Sequence, residues 1–156
     1  MSSEKSLLVP EALQQIMDRI NSLAPEQQRL WGTMKLEQML AHCQKPLEVA
    51  LGIHALDKGW ALRCLSFFLG KTIKKKMLSE EPLAKNSPTT KSFVIHNAGS
   101  MNLEREQLKN RIKEFVAKAN AGELGDRHPL FGKMTQAEWD LLQWKHLDHH
   151  LRQFGA

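Results

Sequence analysis

The chain has 156 residues, 42% hydrophobic and 25% charged, with a formal net charge of +5. Those values fit a single water-soluble domain over 1–156, large enough to bury a core without staples. No apolar run reaches membrane-spanning length, because Lys71 ends the longest candidate, Trp60–Gly70. The start, Met1-Ser2-Ser3-Glu4-Lys5, has no basic head followed by a long apolar stretch, so no signal peptide is expected and the reading is cytoplasmic. Cys43 and Cys64 are then expected to be reduced and buried.

Leu13, Ile16, Met17 and Ile20 follow helical spacing and predict a first helix over 10–23, opened by Pro10 and followed by a linker closed by Pro25. Leu36, Met39, Leu40, Cys43, Leu47 and Ala50 predict a second over 35–51, ended by Gly52. Residues 60–78, apolar and then basic, read as a shorter, irregular helix. The 79–101 stretch, with Pro82, Pro88 and Gly99, reads as one long connection with a short extended piece at Phe93–His96. Leu108, Ile112, Phe115, Val116 and Ala119 predict a helix over 103–120. The last helix should start at Thr135, where Thr135 and Glu138 form a capping box, and run to Gln153. No strand pattern of any length is visible. The fold class is all-α: a four-helix bundle with an extra short helix and one long crossover connection.

Leu30-Trp31-Gly32-Thr33-Met34 and Leu130-Phe131-Gly132-Lys133-Met134 echo one another, each before a helix. The shared reading is an aromatic plug at a helix entry, with glycine permitting the turn. The basic run Lys71-Thr72-Ile73-Lys74-Lys75-Lys76 has no interleaved aromatic residue and no Arg-rich helix after it. It reads as a solvated face, and nucleic acid is an unlikely partner.

Three of the seven histidines fall within 146–150. At about 100° per residue, with His146 as origin, Trp139, Leu142, His150 and Gln153 lie within about 40° of it and His149 at about 60°. His146 and His150 therefore look into the bundle. Buried polar groups left without partners cost about 1–3 kcal/mol each, and a shared metal ion would satisfy both rings. On the second helix His42 also points inward. Pro46 removes the N–H that would bond the His42 carbonyl, which should bend the helix there. Three imidazoles with an open position suit zinc, and nickel or iron also accept imidazole. No His-Glu-x-x-His, Glu-x-x-His, P-loop or GxGxxG pattern is present. Spacing alone leaves open the bland alternative, in which these are ordinary core histidines near a helix C-terminus. His54 and His96 read as surface or loop residues, and His128 as part of a turn. Trp139 should pack in the core near the site, Trp144 on another face. Asp148 should face solvent, so no general base can be named.

Several segments together resemble the DinB-like superfamily of metal-binding four-helix bundles. They are Trp31-Gly32-Thr33-Met34, Met39-Leu40-Ala41-His42, His128-Pro129-Leu130-Phe131-Gly132-Lys133 and Lys145-His146-Leu147-Asp148-His149-His150-Leu151-Arg152-Gln153-Phe154-Gly155. The subgroup they look like is a domain of unknown function of the 1569 type. The resemblance implies a divalent metal ion held by His42, His146 and His150, with His149 not binding directly. Gln143, His149 and Gln153 are candidates to stand behind the ligands. It further implies a metal-dependent transferase acting on a small-molecule substrate with a low-molecular-weight thiol, and a homodimer. The alternative is a non-catalytic metal- or ligand-binding or interaction bundle.

Overall fold

A computed structural model describes the backbone of residues 5–54 and 60–156, and the side chains of 5–54 and 68–156. Five helices account for most of it: α1 Pro10–Ser22, α2 Leu36–Ala50, α3 Trp60–Met77, α4 Met101–Asn120 and α5 Gln136–Gln153. The chain is an all-α bundle with an extra helix. α2 packs most extensively on α4 and also meets α5, while α1 lies against α5 and α4.

Local chemistry sets the helix ends. Proline opens α1, where its missing N–H costs nothing. Thr135 accepts from the Glu138 N–H (3.2 Å) and Glu138 accepts from the Thr135 N–H (2.8 Å), the expected capping box. Ser100 caps α4 through the Leu103 N–H. α2 stays helical through Pro46. It is buried on nearly every side, Gln44 and Glu48 included, because α4, α5 and the long connection surround it. The core joins Leu7, Ile16 and Ile20 to Met39, Leu40 and Leu47 of α2, Phe115 of α4, and Trp139, Leu147 and Phe154 at the C-terminal end.

Several expectations change. The 60–78 segment is a continuous helix of 18 residues, not a short irregular one. In place of a strand at Phe93–His96 there is a 3-10 turn at Lys91–Phe93, flanked by extended caps at Thr90 and Val94. A small antiparallel pair unseen in the sequence joins β1 Arg127–His128 to β2 Gly132–Lys133. Two-residue strands are too short to leave a period-2 signal. Asp148 does not face open solvent. Its carboxylate bridges Arg19 of α1 and Arg152, both at 2.9 Å. Cys43 is buried and unpaired, whereas the side chain of Cys64 lies outside the described residues. Lys71, Lys75 and Lys76 are exposed, and Lys74 pairs with Glu138 at 2.7 Å.

His128 explains the hairpin. Its Nδ1 accepts the backbone N–H groups of Leu130 (3.0 Å) and Phe131 (3.2 Å), and its ring stacks on Phe131 with centroids 4.2 Å apart. Burial lowers its pKa to about 4. The folded state therefore holds a neutral ring where the unfolded chain takes up a proton near 6.5. His128 contributes nothing to the pH dependence above about pH 6.5, and destabilises the fold as pH falls from there towards 4. Over that window the loss approaches roughly 3 kcal/mol. His128→Asn keeps an acceptor in the Nδ1 position and cannot titrate. Denaturant melts at pH 7 and 4.5 should show a smaller acid loss in His128→Asn than in the wild type, by about one bound proton.

Candidate metal centre

α2 and α5 bring three imidazoles to one point. One turn of α5 stacks His146 and His150 with ring centroids 4.6 Å apart, and His42 of α2 lies 5.1 Å from the first and 4.8 Å from the second. One nitrogen from each ring falls within a set whose members lie within 4.8 Å of one another. The Nε2 atoms of His42 and His146 are 3.2 Å apart. Two zinc–nitrogen bonds of about 2.0–2.1 Å at a tetrahedral angle span about 3.3–3.4 Å, so this edge is close to ligand spacing. His42 and His150 are buried and His146 half-buried.

The environment keeps all three rings neutral, the form that donates a lone pair. Burial lowers the pKa of His42, against a smaller raising effect of the Phe93 carbonyl. Burial first, then the neighbouring His150, His42 and His149, holds His146 well below its ordinary value. Burial and His42 bring His150 to about 3. No carboxylate belongs to the cluster among the described residues.

Hydrogen bonds behind the rings select which nitrogen faces the centre. His42 donates Nδ1–H to the Phe93 carbonyl at 2.9 Å, leaving Nε2 with its lone pair. His150 donates Nδ1–H to Gln153 Oε1 at 2.8 Å, with the same result. Ring donors of this kind orient metal-binding histidines. His146 has no such partner: its Nδ1 is buried with no hydrogen bond. Without an ion, the Nε2–Nε2 contact is the hydrogen bond this ring has among the described residues. An ion accepting both Nε2 lone pairs removes that competition. The donor set and its hydrogen-bonded supports fit a divalent cation.

The other residues singled out in the sequence have definite places. Gln153 supports His150 and donates its amide to the Trp31 carbonyl at 2.8 Å. Gln143 donates instead to the Pro46 carbonyl at 3.2 Å, which places it behind α2 rather than behind a ring. His149 is buried outside the trio, with its ring edge-on to Trp31 at 5.7 Å. Trp139 is in the core, but its indole donates to the Gly125 carbonyl and its ring meets His128, so it serves the hairpin. His96 is exposed. His54 lies in a loop but is half-buried, with its ring 6.1 Å from Phe93.

Sequence reasoning missed the contributions of loops. The Phe93 carbonyl and the Trp31 carbonyl are main-chain groups that no side-chain pattern reveals. Lys85, stacked 4.4 Å over the Trp31 ring, was also missed. The one available signal was Gly32 after Trp31, which marks a tight turn and has φ of +79°.

The model of a family described as "Protein of unknown function (DUF1569)" matches residues 1–156. No curated protein matches the chain, and no solved structure does.

Cys43 sits one residue from His42 yet cannot act as a nucleophile. It is 1% exposed, it contacts Met39 Sδ at 3.6 Å, and burial pushes its thiol pKa up. The peptide carrying Cys43 should stay unmodified when the folded protein is treated with iodoacetamide at pH 8 and become modified in denaturant, as read by mass spectrometry.

Proposed function

The chain belongs to the DUF1569 family, and we propose that it is a divalent-metal-binding protein of the DinB-like kind, with His42, His146 and His150 as the ligands. The supporting observation is the convergence of three neutral, buried or half-buried imidazoles, two of them fixed by hydrogen bonds that leave Nε2 unprotonated. Zinc, nickel and iron all suit such a donor set.

When bound, a divalent ion supplies Lewis acidity that makes a bound water or thiol nucleophilic at neutral pH. The protein residues orient that chemistry. Phe93 holds the His42 ring and Gln153 holds the His150 ring, while His149, packed on Trp31, sets its ring 5.0 Å from that of His150. A hydrolase would need a proton carrier, and among the described residues no carboxylate belongs to the histidine cluster. That favours transfer of a low-molecular-weight thiol to a small electrophilic substrate, where deprotonated sulfur attacks without a separate base. The proposal includes a single domain over 1–156, a cytoplasmic location and a homodimer. A cluster of histidines alone among the described residues also suits a non-catalytic binding bundle, which would bind metal but turn over no thiol–electrophile pair.

Tag-free protein should carry about one divalent ion per chain by elemental analysis, as expected for one three-histidine site. His42→Ala, His146→Ala and His150→Ala should each lower zinc affinity by at least about a hundredfold, whereas His149→Ala should change it by less than about tenfold. Full metal content in the His146→Ala variant would overturn the ligand assignment. Zinc at about a thousand times its Kd should stabilise the wild type by about 4 kcal/mol in a thermal melt, and this gain should vanish in the three ligand variants.

A further inference from the structure

Gln153 carries an amide whose two ends are chemically opposite. Its oxygen only accepts hydrogen bonds and its nitrogen only donates them. The orientation of that amide therefore decides which nitrogen of His150 holds the proton. With Oε1 towards the ring, His150 must donate from Nδ1, and Nε2 keeps its lone pair. With the amide reversed, Nδ1 must accept, the proton moves to Nε2, and Nε2 cannot bind a metal ion.

The amide orientation is set from outside α5. Gln153 Nε2 donates to the Trp31 carbonyl, which can only accept. That carbonyl belongs to a turn clamped on the end of α5. The Leu30 N–H donates to the Gln153 carbonyl at 2.7 Å, and Gln27 donates to the Phe154 carbonyl. The turn comes so close that a Cβ at Gly32 would collide with Gln153 Nε2. Only glycine permits this approach.

We infer that the Trp31–Gly32 turn is a positioning element for the metal centre: its carbonyl orients the Gln153 amide and thereby selects the His150 tautomer that presents Nε2. Gly32 and Gln153 are positioning residues and touch no ion themselves. This inference rests on the reading of His150 as a ligand, but its first test needs no metal.

Long-range proton–nitrogen correlation spectra of the metal-free protein report each histidine tautomer. The wild type should hold His150 in the Nδ1–H form. Gly32→Ala should push the amide away and give the Nε2–H form or a mixture. Gly132→Ala is the matched control. Gly132 has a similar φ of +73°, against +79° at Gly32, and a Cβ there would meet nothing within 4 Å. It carries the same backbone strain without the collision and should leave the His150 tautomer unchanged. Gln153→Glu keeps an acceptor and should retain Nδ1–H, whereas Gln153→Leu should lose that preference.

Zinc affinity, measured by competition with a chromophoric chelator, should fall about tenfold to a hundredfold in both Gly32→Ala and Gln153→Leu. The double variant should be no weaker than Gln153→Leu alone, within about twofold, because both changes break one link. A wild-type Nε2–H tautomer, an unchanged tautomer in Gly32→Ala, or additive losses in the double variant would each overturn the inference. If Gly32→Ala does not fold, the wild-type tautomer and the contrast between Gln153→Glu and Gln153→Leu decide it. If the wild type binds no zinc, the ligand reading fails while the tautomer spectra still judge the turn.

Discussion

Burial of polar side chains along α5 is the constraint on which this molecule depends. Asp140, Gln143, Lys145, His149, His150 and Gln153 are all buried on that one helix. Each must find a partner or cost stability. Asp140 accepts the Ser6 hydroxyl and the Leu7 N–H, tying the N-terminal segment down. Gln143 takes the Pro46 carbonyl of α2. Lys145 donates to the carbonyls of Ser79 and Glu81 at 2.6 and 2.8 Å, so the start of the long connection lies along the helix. Gln153 holds the Trp31 turn. The apolar core packs the helices together, and these polar contacts determine where the connecting segments go.

Half-buried His146 stands apart from this series. It lies between Lys145 and His149, yet its Nδ1 has no partner and its Nε2 faces another imidazole. Beyond the first turn, where Gln136 Oε1 is also without a partner, His146 is the ring on α5 left short, at the point where two further histidines converge. The far end of the connection closes the same region from α2, through Phe93 to His42 and through Ile95 to Gln38 at 3.0 Å. Gly99 donates to Glu104, which also accepts from Gln44 of α2, so the connection is fixed before α4 begins. The histidine cluster thus sits where two helices and two docked loops meet.

How much of this was legible in the sequence follows from the range of each interaction. Helix limits came within a few residues because periodicity, prolines and the Thr135–Glu138 box are local. His42, His146 and His150 could be oriented by the same periodicity, and the structure brings them together. The failures involve partners far along the chain. Asp148 was assigned to solvent because its own helix offers no sign of Arg19, 129 residues away. Lys145 drew no role from its place in the sequence, yet it is 6% exposed and its partners are carbonyls more than 60 residues away. Gln143 and Gln153 were indistinguishable as candidates until the positions of Pro46 and Trp31 separated them. The hairpin was hidden because His128, read as an ordinary turn residue, organises it through two backbone N–H groups.

The groups that α5 grips on its neighbouring loops are largely main-chain atoms: the carbonyls of Trp31, Ser79, Glu81 and Gly125 and the N–H of Leu7. A carbonyl oxygen is much the same whichever side chain accompanies it. The loops can therefore change their residues freely while staying docked in the same place, provided their length and turns are kept. Variation over 79–90 would then alter the surface beside α5 and leave its main-chain contacts with Lys145 in place. Such a division lets one scaffold acquire new specificities without rebuilding its centre.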